Sequence, residues 1–258
     1  MLLTCPVCKG ELIRNGRTAV CANRHSFDYA RQGYLNLYLS RGGSHGDSPE
    51  SVKARTRFLQ RGHYAFLKDR MRELTASFAH DVTVDLACGE GYYTAALCGN
   101  DKYGFDLSKD ALKHASRNNP DTHYTVASIF SLPFADASAD IVTTLFAPLA
   151  KEEIMRILKP GGVFISVTPA PDHLLELKQA LYDEPYLNTV DEPPFPLADQ
   201  LQISEIMKLD RDGIQDLFAM TPYFYHTSEK DRRKLDAIDS LAVTASFLIR
   251  IHRKPEKQ

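Results

Sequence analysis

The sequence predicts an α/β protein: a doubly wound parallel sheet preceded by a small metal-binding module. Three observations carry this reading. Short apolar runs alternate with helical stretches between residues 81 and 170. The first run ends in a glycine-containing turn, Asp85-Leu86-Ala87-Cys88-Gly89-Glu90-Gly91. Ahead of it, Cys5, Cys8, Cys21 and His25 place four soft ligands in a segment too small to build its own core.

The elements follow in order. Residues 1–40 are Cys-rich and turn-rich, and SRGGSHGDSPE (40–50) is almost without apolar side chains, as a mobile linker would be. From Pro49 the pattern turns helical. Leu67, Met71, Leu74 and Phe78 are spaced as one face of a helix. VTVDLA (82–87) is a buried strand, 92–98 a short helix, and KYGFD (102–106) a second strand. Ser108 is placed to cap a helix reaching Arg117. HYTVA (123–127) and DIVTTLF (140–146) are the third and fourth strands. A helix over 150–158 stops at Lys159-Pro160-Gly161-Gly162, and VFISVT (163–168) is the fifth strand. A helix from Pro171, a Pro-rich loop (192–196) and closing strands near 200–208 and 240–252 complete a seven-stranded sheet. The last seven residues read as a frayed tail.

Composition narrows the class. With 43% hydrophobic and 25% charged residues in 258, the chain can bury a large core. No run of eighteen apolar residues spans a membrane, and the N-terminus lacks the pattern of a signal peptide. Five unevenly placed cysteines fit a reducing, cytoplasmic compartment better than a disulfide framework. Residues 1–80 hold 13 Lys and Arg against 6 Asp and Glu; the remaining 178 hold 18 against 27. A basic front end on an acidic body suggests a polyanionic partner, with a solvated arginine-rich face as the alternative.

Cys5-x2-Cys8 and Cys21-x3-His25 supply two close ligand pairs, as a tetrahedral zinc site needs. A redox Cys-x-x-Cys would leave Cys21 and His25 unexplained. No open coordination position is implied, so the site is structural. Arg14, Arg17, Arg24 and Arg31 surround the ligands and suit phosphate contact. Tyr29 and Tyr34 either stack on bases or pack the module against the body.

The turn at 85–91 lies at the carboxyl end of the first strand, where open α/β sheets bind ligands. Gly89 and Gly91 permit close approach. Asp106 ends the second strand and can accept both hydroxyls of a ribose. Without G-x-G-x-x-G, and with Asp85 and Glu90 present, the turn does not suit a pyrophosphate. A cationic nucleoside, S-adenosylmethionine, suits it. Leu132-Pro133-Phe134 with Asp136 and Asp140, then Leu158-Lys159-Pro160-Gly161-Gly162, follow in order.

Over residues 81–170 the chain thereby resembles the class I methyltransferases, whose fold is a Rossmann-like doubly wound seven-stranded sheet. Two positions depart from the common pattern: Ala87 stands for a first glycine, and Ser128 for an acid near the adenine. The zinc module together with GYLNL (33–37), GDS (46–48), RGHY (61–64), CGEGYYT (88–94) and TPAPDHLLELK (168–178) is similar to the RlmA-type 23S rRNA (guanine-N1) methyltransferases over nearly the whole chain. The resemblance implies that residues 1–40 form a zinc-binding RNA-recognition module. It further implies that 41–80 form a linker and helices, and 81–258 an S-adenosylmethionine-dependent methyltransferase domain. It implies methylation of N1 of one guanine in a 23S rRNA hairpin. It places Tyr64, Tyr93, Thr94 and His173 on the cofactor, beside Asp85, Gly89, Gly91 and Asp106. A homodimer stays open.

On residues alone Tyr64 is as well explained by packing, and His173 as a structural histidine at the ligand edge of the sheet. Met220-Thr221-Pro222 and Tyr223-Phe224-Tyr225 border either a guanine pocket or the core. Asp172, Glu90 and His173 are base candidates by location only, so the catalytic residue is unknown. The competing functions are methylation of a small molecule and zinc-dependent RNA binding without catalysis.

Overall fold

The computed structural model describes residues 1–39, 49–79, 81–192 and 195–256. Most of the expected 40–50 linker therefore lies outside the described residues. Strands β1 (Ile13–Asn15), β2 (Thr18–Val20) and β3 (Ser26–Asp28) make a small antiparallel sheet. A second sheet holds β4 (Leu35–Asn36), β5 (Val82–Leu86), β6 (Asp101–Asp106), β7 (Thr122–Val126), β8 (Ala139–Leu145), β9 (Leu158–Pro169), β10 (Leu197–Asp210) and β11 (Ser240–Arg253). Its order is β10-β11-β9-β8-β5-β6-β7-β4. β11 runs antiparallel to β9 and β10, and the other pairings are parallel.

The seven expected strands are present, and β4 makes an eighth. Leu35 and Asn36 pair with Thr125 and Val126, which joins the N-terminal segment to the main sheet. The central strands are buried on both sides, as parallel strands are. Their alternation sorts side chains between two cores. Ile141 and Ile165 face helices α1 (Pro49–Gln60) and α2 (Ala65–Ala76), with Phe58, Leu67 and Met71. Val142 and Phe164 face the opposite way, toward α4 (Lys151–Ile157) and toward Leu3, Cys5, Leu12 and Cys21 of the N-terminal segment. The module and the body thus share one core. The boundary at residue 40 separates sequence patterns and not packing units.

Several expectations need correction. Residues 92–96 form turns instead of a helix, with one four-residue bond from Ala95 N–H to the Gly91 carbonyl. Two tyrosines and a β-branched threonine lower helix propensity there, and the Thr94 hydroxyl is committed to Asp85. Lys159-Pro160-Gly161-Gly162 lies inside β9, because the chain passes from α4 directly into the strand. The helix expected from Pro171 begins at Leu175, α5 (Leu175–Leu181), after a turn ending at left-handed Leu174. The tail is tied down to Lys254, whose Nζ donates to the Met155 and Leu158 carbonyls at 2.5 and 2.8 Å. Ser108 caps α3 (Lys109–Asn118) as expected, accepting from the Ala111 N–H at 3.2 Å. Periodicity left unread α6 (Arg211–Ala219), the short helices α7 (Tyr223–His226) and α8 (Glu229–Arg232), and a 3-10 turn over Arg233–Ala237.

Candidate active site and metal centre

The glycine turn leaves β5 at the carboxyl edge of the sheet. Ala87, Gly89 and Gly91 all have positive φ, at 56°, 54° and 77°. For Ala87 this conformation is strained, and the first glycine of the common pattern would adopt it freely. Gly91 is required by packing: a Cβ there would stand 2.4 Å from the Tyr124 hydroxyl and 3.0 Å from Ala115 Cβ. The turn is held from both sides by carboxylates. Asp106 Oδ2 accepts from the Gly89 N–H at 2.8 Å, and its Oδ1 from the Ser108 N–H at 2.7 Å. Asp85 is buried and accepts from the Thr94 and Thr143 hydroxyls at 2.6 and 2.8 Å. Burial pushes its carboxyl up to about 6.

Two adjoining cavities open at this edge. The smaller, about 360 Å³, is bounded by Asp85, Gly89, Glu90, Tyr93, Asp106 and Phe130 among others. The larger, about 660 Å³, is bounded by Tyr64, His173, Asn188, Thr221, Tyr223 and Phe247 among others. Arg55, Leu59, Tyr93, Phe146 and Ala147 belong to both walls, so the cavities meet at Phe146 and Tyr93.

Arg55 Nε donates to Glu90 Oε2 at 2.9 Å. Glu90 Oε1 and the Tyr93 hydroxyl oxygen are buried with no hydrogen-bond partner among the described residues. A buried carboxylate oxygen and a buried hydroxyl facing one cavity fit a ligand carrying an ammonium group. Asp106 at the end of β6 fits a ribose. Ile129 and the 60%-exposed Phe130 offer an apolar shelf where an acid on the third strand is absent.

His173 Nδ1 accepts from the Ser246 backbone N–H at 3.1 Å, so its hydrogen resides on Nε2. Burial lowers its pKa to about 4 and keeps the ring neutral. Tyr64 is 3% exposed and packs edge-on against Phe58 and Phe247. Thr94 and Gly91 line neither cavity and act on the turn's conformation. Of the base candidates, Glu90 is paired with Arg55, and His173 is a donor at Nε2. Asp172 lines neither cavity and is 3.4 Å from Gln202 Nε2.

The ligand atoms of Cys5, Cys8, Cys21 and His25 lie within 4.8 Å of one another. Cys5 and Cys21 sulfurs are 3.5 and 3.4 Å from His25 Nδ1, and the Cys8 and Cys21 sulfurs are 3.7 Å apart. Tetrahedral zinc, with bonds of about 2.3 Å to sulfur and about 2.0 Å to nitrogen, sets edges of roughly 3.5–3.8 Å. The donor set therefore fits zinc. Left-handed Lys9 and Arg24 close the two ligand turns, their N–H groups donating to the Cys5 and Cys21 carbonyls at 2.8 and 2.9 Å.

A family model described as "RlmA, N-terminal" matches residues 3–38, and one described as "Methyltransferase domain" matches 84–166. A Streptomyces fradiae protein named 23S rRNA (guanine(748)-N(1))-methyltransferase is 34% identical over 96% of this chain and 95% of its own. The chain belongs to the RlmA-type 23S rRNA (guanine-N1) methyltransferase family.

Bacillus subtilis (strain 168) YxjB, provisionally assigned to the same class, is 33% identical over 91% of this chain and 90% of its own. A chain from the complex of the Haloferax volcanii Trm112 methyltransferase activator with its candidate methyltransferase aligns with a TM-score of 0.51 at 18% identity. That alignment covers 82% of this chain and all of that one, and it supports the fold alone. RlmA-type methyltransferases are S-adenosylmethionine-dependent enzymes with a zinc ribbon, and both cofactors fit the donor groups described above. No helix among the described residues is long and apolar enough to cross a membrane.

Within this RlmA-type methyltransferase, the arginines of the basic front end, residues 1–80, separate into two groups. Arg57 makes a two-oxygen pair with Asp216, Arg61 pairs with Asp210 at 2.7 Å, and Arg55 is in the cavity wall. The segment 53–61 is thus a structural brace against α6 and the glycine turn. Arg14, Arg17, Arg24 and Arg31 are exposed and pair with no carboxylate among the described residues. Arg14 lies 4.6 Å over the Tyr29 ring, and Tyr34 is buried, so both tyrosines pack the module in place. Sequence reasoning missed Phe146, Phe130 and Asn188. The first two follow β8 and β7 at the same carboxyl edge as the glycine turn, which was the available signal.

Proposed function

We propose that this protein methylates N1 of one guanine in a 23S rRNA hairpin, with the zinc module gripping the RNA. The observation that carries the reading is the match to the Streptomyces fradiae enzyme, which extends through both the zinc segment and the methyltransferase domain. When bound, S-adenosylmethionine supplies an electrophilic methyl carbon. The chain's own task is to hold that carbon in line with the base and exclude water.

In this reading the smaller cavity takes the cofactor. Asp106 accepts the ribose hydroxyls, and Gly89 brings the backbone close. Glu90 and Tyr93 receive the amino-acid end. Asp85 anchors the turn through Thr94, and Gly91 keeps it in shape. Tyr64 and His173 border the methyl group from the larger cavity, which receives an unstacked guanine. Zinc is held by Cys5, Cys8, Cys21 and His25. A cytoplasmic location follows from a ribosomal substrate, and a homodimer is compatible with it.

The test is to delete the gene and probe 23S rRNA for N1-methylguanosine. The modification should disappear from one site and return with the wild-type gene. Unchanged modification would refute the assignment.

The basic module has its own test. Replacing Arg17, Arg24 and Arg31 by Gln should weaken RNA binding and flatten its salt dependence by roughly 0.7–0.9 in log–log slope per lost phosphate contact. Replacing Arg57 by Gln should leave the slope unchanged, because that arginine is paired with Asp216. Superimposable salt curves for the triple variant would place the RNA-binding face elsewhere.

A further inference from the structure

Asn188 stands where three segments of the larger cavity's wall meet. Its Nδ2 donates to the Ala170 and His173 carbonyls at 2.9 and 3.2 Å, and its backbone N–H to the Pro171 carbonyl at 2.9 Å. Its Oδ1 accepts from Lys178 Nζ at 2.7 Å and from the Tyr223 hydroxyl at 3.4 Å. Lys178, on α5, is fully buried. Its Nζ also donates to the Tyr186 carbonyl at 2.9 Å and lies 4.4 and 5.5 Å from the ring centroids of Tyr186 and Tyr223.

A buried ammonium ordinarily meets a carboxylate. Among the described residues none reaches Lys178. Glu176 is bonded to Thr244, Asp183 to Lys234, and Asp172 faces Gln202. The titratable groups around it are the phenols of Tyr182, Tyr186 and Tyr223 and the neutral ring of His173. The Tyr182 hydroxyl is itself bonded to Thr227. Every acceptor that the described residues offer the Lys178 ammonium is neutral, and no carboxylate among them offsets its charge. Asn188, which accepts from it, and Tyr223, whose ring lies 5.5 Å away, both line the cavity. Among the described residues no Asp or Glu does, and Arg55, a cation of that wall, is paired with Glu90.

We propose that Lys178 is a positioning residue whose charge, held one side chain behind the acceptor cavity, favours the N1-deprotonated form of the bound guanine. The inference rests on the function proposed above and adds what replaces a general base. The N1–H bond breaks and the proton leaves to solvent. The freed N1 electron pair forms the bond to the methyl carbon. The carbon–sulfur bond breaks with its pair remaining on sulfur, so one proton is released per methyl transferred. A nearby positive charge lowers the pH at which N1 gives up its proton, because it stabilises the anion in a low-dielectric wall. Burial pulls Lys178 itself below the usual lysine value, and its Nζ donates to the Tyr186 carbonyl and to Asn188 Oδ1.

The experiment is single-turnover methylation of 23S rRNA from a strain lacking this gene, with saturating cofactor, from about pH 6 to 10. It compares wild type with Lys178→Met, Lys178→Gln and Lys178→Arg. The Met and Gln variants should move the rising limb up by about one pH unit, roughly tenfold slower at neutral pH, and converge with wild type at high pH. The Arg variant should follow wild type. Calorimetric affinity for S-adenosylmethionine should be unchanged in all. A purely structural role would depress the rate equally at every pH. Gln keeps a polar group for Asn188 should Met fail to fold. Unshifted limbs in the neutral variants would overturn the proposal. Absence of methylation by the wild type would instead refute the function on which it rests.

Discussion

Cys21→Ala should release the metal and lower the unfolding temperature of the whole protein by about 10 °C or more. A module independent of the body would confine the damage to the first 40 residues. The structure couples the two. Cys5, Leu12 and Cys21 are buried in the same core as Val84, Phe105 and Phe164. Thr4 N–H donates to the Pro133 carbonyl at 2.9 Å, and Ala135 N–H to the Leu2 carbonyl at 3.0 Å. β4 covers the edge of β7. Losing a structural zinc removes folding free energy outright, and each kcal/mol lost moves the midpoint of a domain this size by about 2–4 °C. Metal content by atomic absorption and a melting curve give the answer. Equal zinc in wild type and variant would reject the ligand set. An unchanged main transition with zinc gone would reject the shared core.

Asp106→Ala should reduce S-adenosylmethionine affinity by at least tenfold, and by up to about a hundredfold. The ribose hydroxyls would lose a charged acceptor, a loss of about 1.5–3 kcal/mol. The structure adds a second cost, because the same carboxylate holds the Gly89 and Ser108 N–H groups. Without it both backbone donors lose their partner and the glycine turn loses its clamp. Asp106→Asn keeps one acceptor oxygen and should fall between the two. Calorimetry decides the matter, with NAD as the control ligand that should bind neither protein. An unchanged affinity in Asp106→Ala would remove the carboxylate from the ribose site.

Much of this was legible in the chain. The zinc ligands were, because two short turns with paired donors make a local pattern that needs no tertiary knowledge. The first five parallel strands were, since doubly buried strands read as unbroken apolar runs. The placement of Asp106 was, because the carboxyl ends of neighbouring parallel strands fall at one edge whatever the loops do. Where reading failed, the decisive partner lay far along the chain. Residues 92–96 carry a helix-like pattern, yet Thr94 is committed to Asp85. Arg57 and Arg61 resemble a basic RNA-binding stripe until Asp216 and Asp210, about 150 residues later, are found to neutralise them. Asn188 sits in a stretch with no periodicity at all.

The sequence by itself determined the ligand chemistry: which residue types could hold zinc, and which carboxylates and glycines could meet a nucleoside. Those properties depend on local spacing and on the alternation of strand and helix. Only the tertiary structure decided which charges remain available. Ion pairs and buried hydrogen bonds form between segments whose separation in the chain carries no signal, so Arg17 and Arg57 look alike until the fold brings a carboxylate to one and leaves the other at the surface. The same long-range packing buries Lys178 beside neutral partners.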